Sequence, residues 1–346
     1  KYEKSPEKIL IFDWVQWLWF DSSWYDFDHR LHLFKFQLDN LLIEIKKYDI
    51  CFFVISELIG MREPLTDERK KIIQEFMAEI NKINVFYIAS SEDSDYPLEE
   101  SKTFNMPWFG DRRIYTSQGT TIDFDYRQKE FTFNMLLGVE REHRTKMFER
   151  IRPHSYVYST YMGHLHHRDN SDTHLEDEEV LNYLMNQDFI DNQLNTMVPM
   201  RREDNNYVLS HVVSEKIYND THFDIVSESQ HLSRSTHFTT EKTGKPLSTG
   251  RFFIWFNSPN KVEYLRKFGF ELQEYLCEYD NIVGNNDRLE AIFELIKEIG
   301  DNENYIKKIY KDTKDARIHN QEVYRRIEST VTHDRAVWIC NQVEKI

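Results

Sequence analysis

The sequence contains few cysteines, glycines and prolines. Its 346 residues include only 3 Cys, 10 Gly and 8 Pro. The scattered residues Cys51, Cys277 and Cys340 supply neither a disulfide framework nor a zinc ribbon, and they fit a reducing compartment. So little glycine and proline excludes collagen-like and linker-dominated architectures. We therefore expect a cytoplasmic protein, in the host cytoplasm if the chain is viral.

Long apolar runs and a positive net charge are also lacking. The apolar run at residues 50–55 has the length of a strand, whereas a membrane-spanning helix needs about 20 apolar residues, so no membrane span is predicted. A formal net charge of −15 gives no overall attraction to nucleic-acid phosphates. What the chain does have is 40% hydrophobic residues, including 14% aromatic ones, which is enough for the cores of two domains.

Strand and helix patterns alternate along the chain. Apolar strands at residues 8–13, 50–55 and 85–89 are separated by helical patterns at 29–48 and 66–80. Strands that are buried without alternation and separated by helices indicate a parallel sheet covered on both faces. Further strands are predicted at residues 131–136, 155–159, 223–227 and 251–256, before a largely helical tail at 287–327. The pattern predicts an α/β protein with two lobes, residues 1–125 and 126–346, and a C-terminal helical segment.

An acidic residue follows one predicted strand, and a cluster of polar residues stands at the start of a later helix. Glu228 ends the strand at 223–227, and Thr240, Glu241 and Lys242 stand where a helix begins, with Lys245 close behind. A helix N-terminus offers unpaired N–H groups and the positive end of the dipole, which suit a diphosphate. The two lysines add positive charge, and Glu241 can accept hydrogen bonds from ribose hydroxyls. A simple helix cap explains the same residues equally well.

These segments resemble the α-1,3-fucosyltransferase family. Its signature F-N-x-x-F-E-N, then V-T-E-K, then I-P-I-Y-W-G-S is similar to residues 223–229, 240–242 and 252–258 here. The chain departs from it at Ser229, Arg251 and Asn257, so the resemblance extends to nucleotide-sugar transferases and leaves the sugar and the base open. It implies two Rossmann-like lobes of GT-B type with a cleft between them. It also implies that Glu228, Glu241 and Lys242 contact a UDP- or GDP-sugar in the C-terminal lobe, without a permanently bound cofactor or a required metal.

A second segment is similar to the start of the donor lobe in several glycosyltransferases. Asn134 lies in the predicted strand, and Arg141 and Arg144 stand at the start of the next helix. Cations are unfavourable there because that end of the helix dipole is already positive. An anion between the two arginines removes this conflict, and bidentate contacts to a pyrophosphate would neutralise the leaving group. Pairing of the arginines with neighbouring glutamates on an exposed helix is the alternative.

A catalytic base is expected from the N-terminal lobe. An inverting transfer needs a carboxylate that deprotonates the acceptor hydroxyl. Asp13 and Glu57 both follow predicted parallel strands, where side chains reach the crevice at the sheet edge. Asp21 and Asp26 are weaker candidates in an aromatic stretch that is either an acceptor platform or loop packing. A retaining mechanism would need no such base.

Other functions stay open at the level of sequence. The segment from His164 to His174 has imidazoles and carboxylates close together, so a metal-dependent hydrolase is one alternative. A non-catalytic two-lobe binding protein is another. The acceptor of a sugar is equally open: it could be a glycan or a hydroxymethylated base in phage DNA. The sequence does not indicate an oligomeric state.

Overall fold

The computed structural model describes residues 8–13, 31–55, 67–89, 91–93, 99–106, 114–116, 120–137, 142–161, 212–213, 215–228 and 236–345. Its strands are β1 (Ile9–Asp13), β2 (Ile50–Ile55), β3 (Val85–Ala89), β4 (Ser91–Asp93), β5 (Thr103–Asn105), β6 (Tyr115–Thr116), β7 (Phe131–Leu137), β8 (Val157–Tyr161), β9 (Val212–Val213), β10 (Thr221–Ser227), β11 (Thr236–Phe238) and β12 (Phe253–Phe256). Its α-helices are α1 (Leu31–Ile45), α2 (Asp67–Ile80), α3 (Glu142–Ile151), α4 (Glu215–Asp220), α5 (Glu241–Ser248), α6 (Lys261–Lys267), α7 (Asn285–Ile299) and α8 (Glu303–Glu344). Short 3-10 helices lie at Glu100–Lys102, Glu274–Leu276 and Glu278–Asn281.

The chain is an α/β protein that divides into two compact units. The first comprises Lys1–Asp111, Leu232–Phe238 and Ser329–Ile346, and the second comprises Arg112–His231 and Thr239–Glu328. Each unit contains a four-stranded sheet, and every strand pair within these two sheets is parallel. The predicted α/β class and its parallel sheets are thereby confirmed.

The sheet of the first unit has the strand order β1-β2-β3-β5. Helices α1 and α2 cover one face through a cluster that includes Leu41 and Phe76 against Phe53. On the other face, Phe52 and Phe86 contact Trp338, which lies near the end of α8. These residues alternate along the strands, because neighbouring side chains of a strand point to opposite faces. Burial on both faces explains why β2 and β3 are almost continuously apolar.

The sheet of the second unit has the order β12-β10-β7-β8. Its main core lies under α3, α7 and the start of α8, where apolar residues of these helices meet the strands. The members of this core at the strands are Phe133, Met135, Leu137, Val157, Phe223, Ile225, Ile254 and Phe256. Leu289, Ile292 and Ile296 repeat at helical spacing along α7 and point into the same core.

The sequence predicts two lobes at residues 1–125 and 126–346, and each compact unit combines segments from distant parts of the chain. Helix α8 is 42 residues long, and its residues from Ser329 onward belong to the first unit. Strand β11 also belongs to the first unit, where it pairs antiparallel with β4. The end of α8 and strand β11 join the first unit through contacts between distant parts of the chain. Local periodicity gives no signal for such contacts.

No helix in the described part of the chain has a stretch long and apolar enough to span a bilayer. The long helix α8 is rich in charged residues throughout its length. Its apolar residues form separate groups that pack into the two protein cores.

Candidate functional site

The strand order of the second sheet creates a topological switch point. From β7 the chain continues to β8 on one side, whereas β10 lies on the other side of β7 and continues to β12. The segments that follow β7 and β10 therefore leave neighbouring strands in opposite directions. In open parallel sheets a ligand binds at the carboxyl ends of the strands, in the crevice at such a point. The residues directly after β7 and β10 are thus the first place to look for a site.

Glu228 directly follows β10 and holds the start of α5. Its side chain is fully buried. One carboxylate oxygen accepts hydrogen bonds from the backbone N–H of Thr240 at 2.9 Å and the hydroxyl of Thr243 at 2.6 Å, and the other accepts from the Thr240 hydroxyl at 2.6 Å. Thr240 is the N-cap residue, and its hydroxyl oxygen accepts from the Lys242 N–H at 3.3 Å. Glu228 therefore positions the helix start, and its carboxylate is occupied by protein donors.

The first turn of α3 lies against the same strand end. Nη2 of Arg144 donates to the carbonyl of Ser227 at 3.2 Å, and Nε2 of His143 lies 3.1 Å from the carbonyl oxygen of Glu228. A carbonyl oxygen can only accept, so Nε2 of His143 carries the hydrogen. Both side chains are buried. The starts of α3 and α5 consequently meet at the carboxyl end of β10.

Helix α5 presents alternating charges in its first turns. Glu241 pairs with the Nζ of Lys242, and Lys245 follows one turn later. Burial by itself raises the pKa of Glu241, but Lys242 and then Lys245 oppose it and lower the pKa to about 2. Burial lowers the pKa of Lys245 to about 8, although Glu241 acts in the other direction. The Lys242 side chain keeps 21% exposure, so its ammonium can reach a ligand in solvent.

Charged residues also surround the end of β12. Asp280 accepts a hydrogen bond from the N–H of Val262 at 3.0 Å, and burial raises its pKa. Nη1 of Arg288 donates to the carbonyl of Ile282 at 2.7 Å, and Lys261 is fully buried at the start of α6. We define the carboxyl rim as the buried or half-buried charged residues at the ends of β7, β10 and β12: Arg144, Glu228, Glu241, Lys242, Lys245, Lys261, Asp280 and Arg288. It has a surplus of two positive charges in a chain of net charge −15.

The amino end of the same sheet has a different set of buried charges. Arg251 donates through Nε to Asp224 at 2.6 Å and through its two other nitrogens to the Tyr218 carbonyl and the Thr221 hydroxyl, each at 2.8 Å. Nδ2 of Asn134 donates to Asp224 at 3.0 Å. Beside them lies an open groove of about 530 Å³ lined by Thr121, Arg127, Gln128, Lys129, Glu130, Asn219 and Asp220.

Lys129 lines that groove, and its ammonium group donates to acceptors of the protein. Its Nζ donates to the carbonyls of Tyr218 and Thr221 at 2.8 and 3.0 Å, and it pairs with Asp123 at 2.9 Å. An ammonium has three hydrogens, so these contacts use all of them. Burial lowers the pKa of Lys129 to about 8, and nearby Arg251 acts in the same direction. This network therefore stabilises the sheet and leaves no lysine donor for a ligand.

The structure brings several of the predicted donor-binding residues to one place. Arg144, Glu228 and Thr240 contact one strand end or one another, and Glu241, Lys242 and Lys245 follow on α5. Their role in binding stays a prediction. The contacts of Glu228 favour helix capping over the direct donor contact that the family resemblance implies. Arg141 lies outside the described residues.

Among the predicted catalytic and metal-binding residues, only Asp13 lies in the described part of the chain. Asp13 is the last residue of β1, where its backbone lies opposite Val54. Glu57 lies outside the described residues, as do Asp21, Asp26 and the His164–His174 segment. Within the described ranges, no group of three or more His, Cys, Asp or Glu side chains is arranged to hold a metal ion.

Two features of this region were missed at the level of sequence. His143 lies between the two predicted arginines, yet its contact with the Glu228 carbonyl depends on a strand 85 residues further on. The charges at the end of β12 were also missed, since Asp280 lies in the 3-10 helix Glu278–Asn281, well beyond the helix that it caps. For His143, a polar residue at a helix start is a local signal.

Comparison with known proteins gives no family for this chain. No protein-family model matches it, and no curated protein matches it. The carboxyl rim and the switch point are therefore the features of the structure that bear on its function.

Proposed function

We propose that the protein is a glycosyltransferase that moves a sugar from a nucleotide-sugar donor to a hydroxyl acceptor. The observation that carries this proposal is the meeting of the α3 and α5 starts at the switch point, with Lys242 accessible beside them. Two helix starts direct the positive ends of two dipoles toward the same small region. An anionic ligand such as a diphosphate suits that field.

Charge in the carboxyl rim supports a diphosphate leaving group. When the sugar–phosphate bond breaks, negative charge develops on the departing nucleoside diphosphate. Preorganised cations and N–H groups stabilise such charge without reorganising during the reaction. Lys242 and Lys245 supply accessible or half-buried ammonium groups, while Arg144 adds a buried guanidinium. Glu241 stays ionised and offers its carboxylate to the hydroxyls of a ribose or a sugar.

The remaining parts of the reaction follow from the resemblance to nucleotide-sugar transferases. We infer a GT-B arrangement of two Rossmann-like lobes, with Asp13 or Glu57 as the base that deprotonates the acceptor hydroxyl. A glycan or a hydroxymethylated base in phage DNA could be the acceptor, and the reaction could invert or retain configuration. The chain charge of −15 makes a DNA acceptor dependent on a local basic surface.

A ligand screen tests the proposal directly. The purified protein is heated with UDP-, GDP-, CMP- and dTDP-sugars, with and without manganese, and its melting temperature is compared with that of the free protein. A ligand at about 100 times its Kd stabilises the folded state by about 2.7 kcal/mol. We expect one nucleotide class to raise the melting temperature of the wild type and to lose most of this effect in Lys242→Met.

A matched variant controls for a general loss of positive charge. Lys267→Met removes an exposed lysine at the end of α6 and should leave the shift unchanged. Absence of a shift with every nucleotide sugar would refute the proposal, and an equal loss in both variants would remove the site from α5. For any donor that binds, release of the nucleoside diphosphate in the presence of candidate acceptors measures the reaction itself.

A further inference from the structure

The open groove of about 530 Å³ at the amino end of the second sheet has polar walls. Every described residue that lines it has a charged, amide or hydroxyl side chain. Pockets for small molecules are usually lined mainly by apolar and aromatic side chains, with a few polar groups that fix orientation. The groove therefore offers little to an apolar ligand and suits a ligand that is covered with hydrogen-bonding groups.

The charges around this groove nearly cancel. The cations that line it are Arg127 and Lys129, and the carboxylates are Glu130 and Asp220. One carboxylate oxygen of Asp123 lies 2.8 Å from Nε of Arg127 and 2.9 Å from Nζ of Lys129. Two cations and three carboxylates leave a balance of −1, so the groove has no surplus positive charge to attract a phosphate or a carboxylate. A neutral polar ligand suits this balance.

Three lining side chains keep hydrogen-bonding groups available to a ligand. Nε of Arg127 is paired with Asp123, and within the described ranges the two Nη nitrogens of this half-exposed side chain have no partner. Gln128 and Glu130 are exposed, and neither side chain pairs with another residue of the described chain. A guanidinium, an amide and a carboxylate from one short stretch of chain are thus presented to the same groove.

Two chain segments form the groove, and hydrogen bonds hold them together. Oδ1 of Asn219 accepts from the N–H of Thr121 at 2.8 Å. Nζ of Lys129 donates to the carbonyls of Tyr218 and Thr221 at 2.8 and 3.0 Å. These contacts join residues 121–129 to residues 218–221 before any ligand arrives. Binding therefore has to order few groups beyond the exposed side chains, which lowers its entropic cost.

We propose that this groove binds a neutral saccharide. Amide, carboxylate and guanidinium groups are planar and present two hydrogen-bonding atoms side by side. Two neighbouring hydroxyls of a sugar ring match such a pair, and each hydroxyl can both donate and accept. The hydroxyls can therefore accept from Nη of Arg127, donate to the carboxylate of Glu130 and do both with the amide of Gln128. The groove lies at the opposite end of the sheet from the carboxyl rim, so this inference does not rest on the proposed function.

The test measures binding of lactose, maltose and cellobiose to the full chain by saturation-transfer NMR. We expect a Kd of about 1 mM for at least one of them, since no aromatic side chain of the described chain lines the groove for stacking. Glu130→Ala should weaken binding about tenfold, because hydrogen bonds to a charged acceptor are lost. Glu298→Ala removes an exposed carboxylate of α7 and should leave binding unchanged.

Glu130→Gln separates hydrogen bonding from charge. It keeps a planar group that bonds to two neighbouring hydroxyls, so it should retain most of the disaccharide affinity that Glu130→Ala loses. A cationic ligand would instead depend on the negative charge. Binding of spermidine in place of the disaccharides, with its loss in Glu130→Gln, would assign the groove to cations and overturn the inference.

Lys242→Met distinguishes this groove from the proposed donor site. Because the two lie at opposite ends of the sheet, this variant should bind the disaccharides as the wild type does. Absence of a signal from all three disaccharides with the wild type would overturn the inference, and so would equal binding by the wild type and Glu130→Ala. Glu130 is exposed, so its variants should unfold at the same urea concentration as the wild type.

Discussion

The two ends of the second sheet both bury charged residues, yet they use them differently. At the amino end, all three donor groups of Arg251 and of Lys129 are taken up by protein acceptors. At the carboxyl end, Lys242 and Lys245 keep partial exposure, and Lys242 is paired with Glu241. A buried charge alone therefore does not mark a functional site. A partly exposed lysine beside two helix starts, at a switch point, distinguishes the carboxyl end.

The largest effect should follow from breaking the amino-end network. Arg251→Met leaves the Asp224 carboxylate buried without its ion pair, and removing one partner of such a pair costs about 3–5 kcal/mol. Urea unfolding should show this loss in the free energy of unfolding. Arg266→Met, whose guanidinium pairs with the exposed Glu274, is the control and should change stability little. Equal stability of the two variants would contradict the comparison.

A smaller loss of stability should follow from removing the carboxylate that holds α5. Glu228→Ala leaves the hydroxyls of Thr240 and Thr243 without their buried acceptor. We expect a loss of about 1–3 kcal/mol in the free energy of unfolding, together with weaker nucleotide binding. Glu228→Gln keeps one acceptor oxygen and should fall between the wild type and Glu228→Ala. If Glu228→Ala kept full stability and lost only binding, a direct ligand contact would be the better explanation.

Acid should weaken the amino end through His222. Burial, reinforced by Lys129 and Arg251, lowers the pKa of His222 to about 3. The unfolded chain, with a histidine pKa near 6.5, therefore binds more protons between pH 6.5 and 3. Stability is fully present above pH 6.5 and falls on acidification by at most about 1.4 kcal/mol per pH unit from this group. In urea unfolding series, His222→Phe should show a shallower decline over this range; an identical slope would exclude His222 as its cause.

The smallest effect on stability should come from the accessible lysine of the carboxyl end. Lys242→Met removes a partly exposed charge, so the free energy of unfolding should change by less than about 1 kcal/mol. Nucleotide affinity should nevertheless fall about tenfold, because charge-assisted contacts to phosphate are lost. Calorimetry and urea unfolding on the same preparation measure both quantities. A large loss of stability with unchanged affinity would reverse the roles of the two sheet ends.

Local patterns predicted much of the secondary structure and some of the site. The strands that contain Phe53, Tyr87 and Ile254 are apolar without interruption, and the helices between them repeat every three or four residues. Contacts that join distant segments had no such signal. Asp280 caps α6 from a later 3-10 helix, His143 reaches the end of β10, and Arg251, just before β12, pairs with Asp224 on the neighbouring strand β10. The residue types were visible in the sequence, but their buried partners were decided by the topology.

Helix α8 has a consequence for synthesis of the protein on the ribosome. Its residues Val331, Trp338 and Ile339 complete the face of the first sheet that includes Phe52 and Phe86, although they follow that sheet by more than 200 residues in the chain. Domains usually fold in the order in which they emerge. Here the first unit can bury that face only after the residues from Val331 to Ile339 have been translated. A chain that stops before Ser329 would expose an apolar sheet surface, so of the two units, the one whose sheet is translated first is protected from aggregation second.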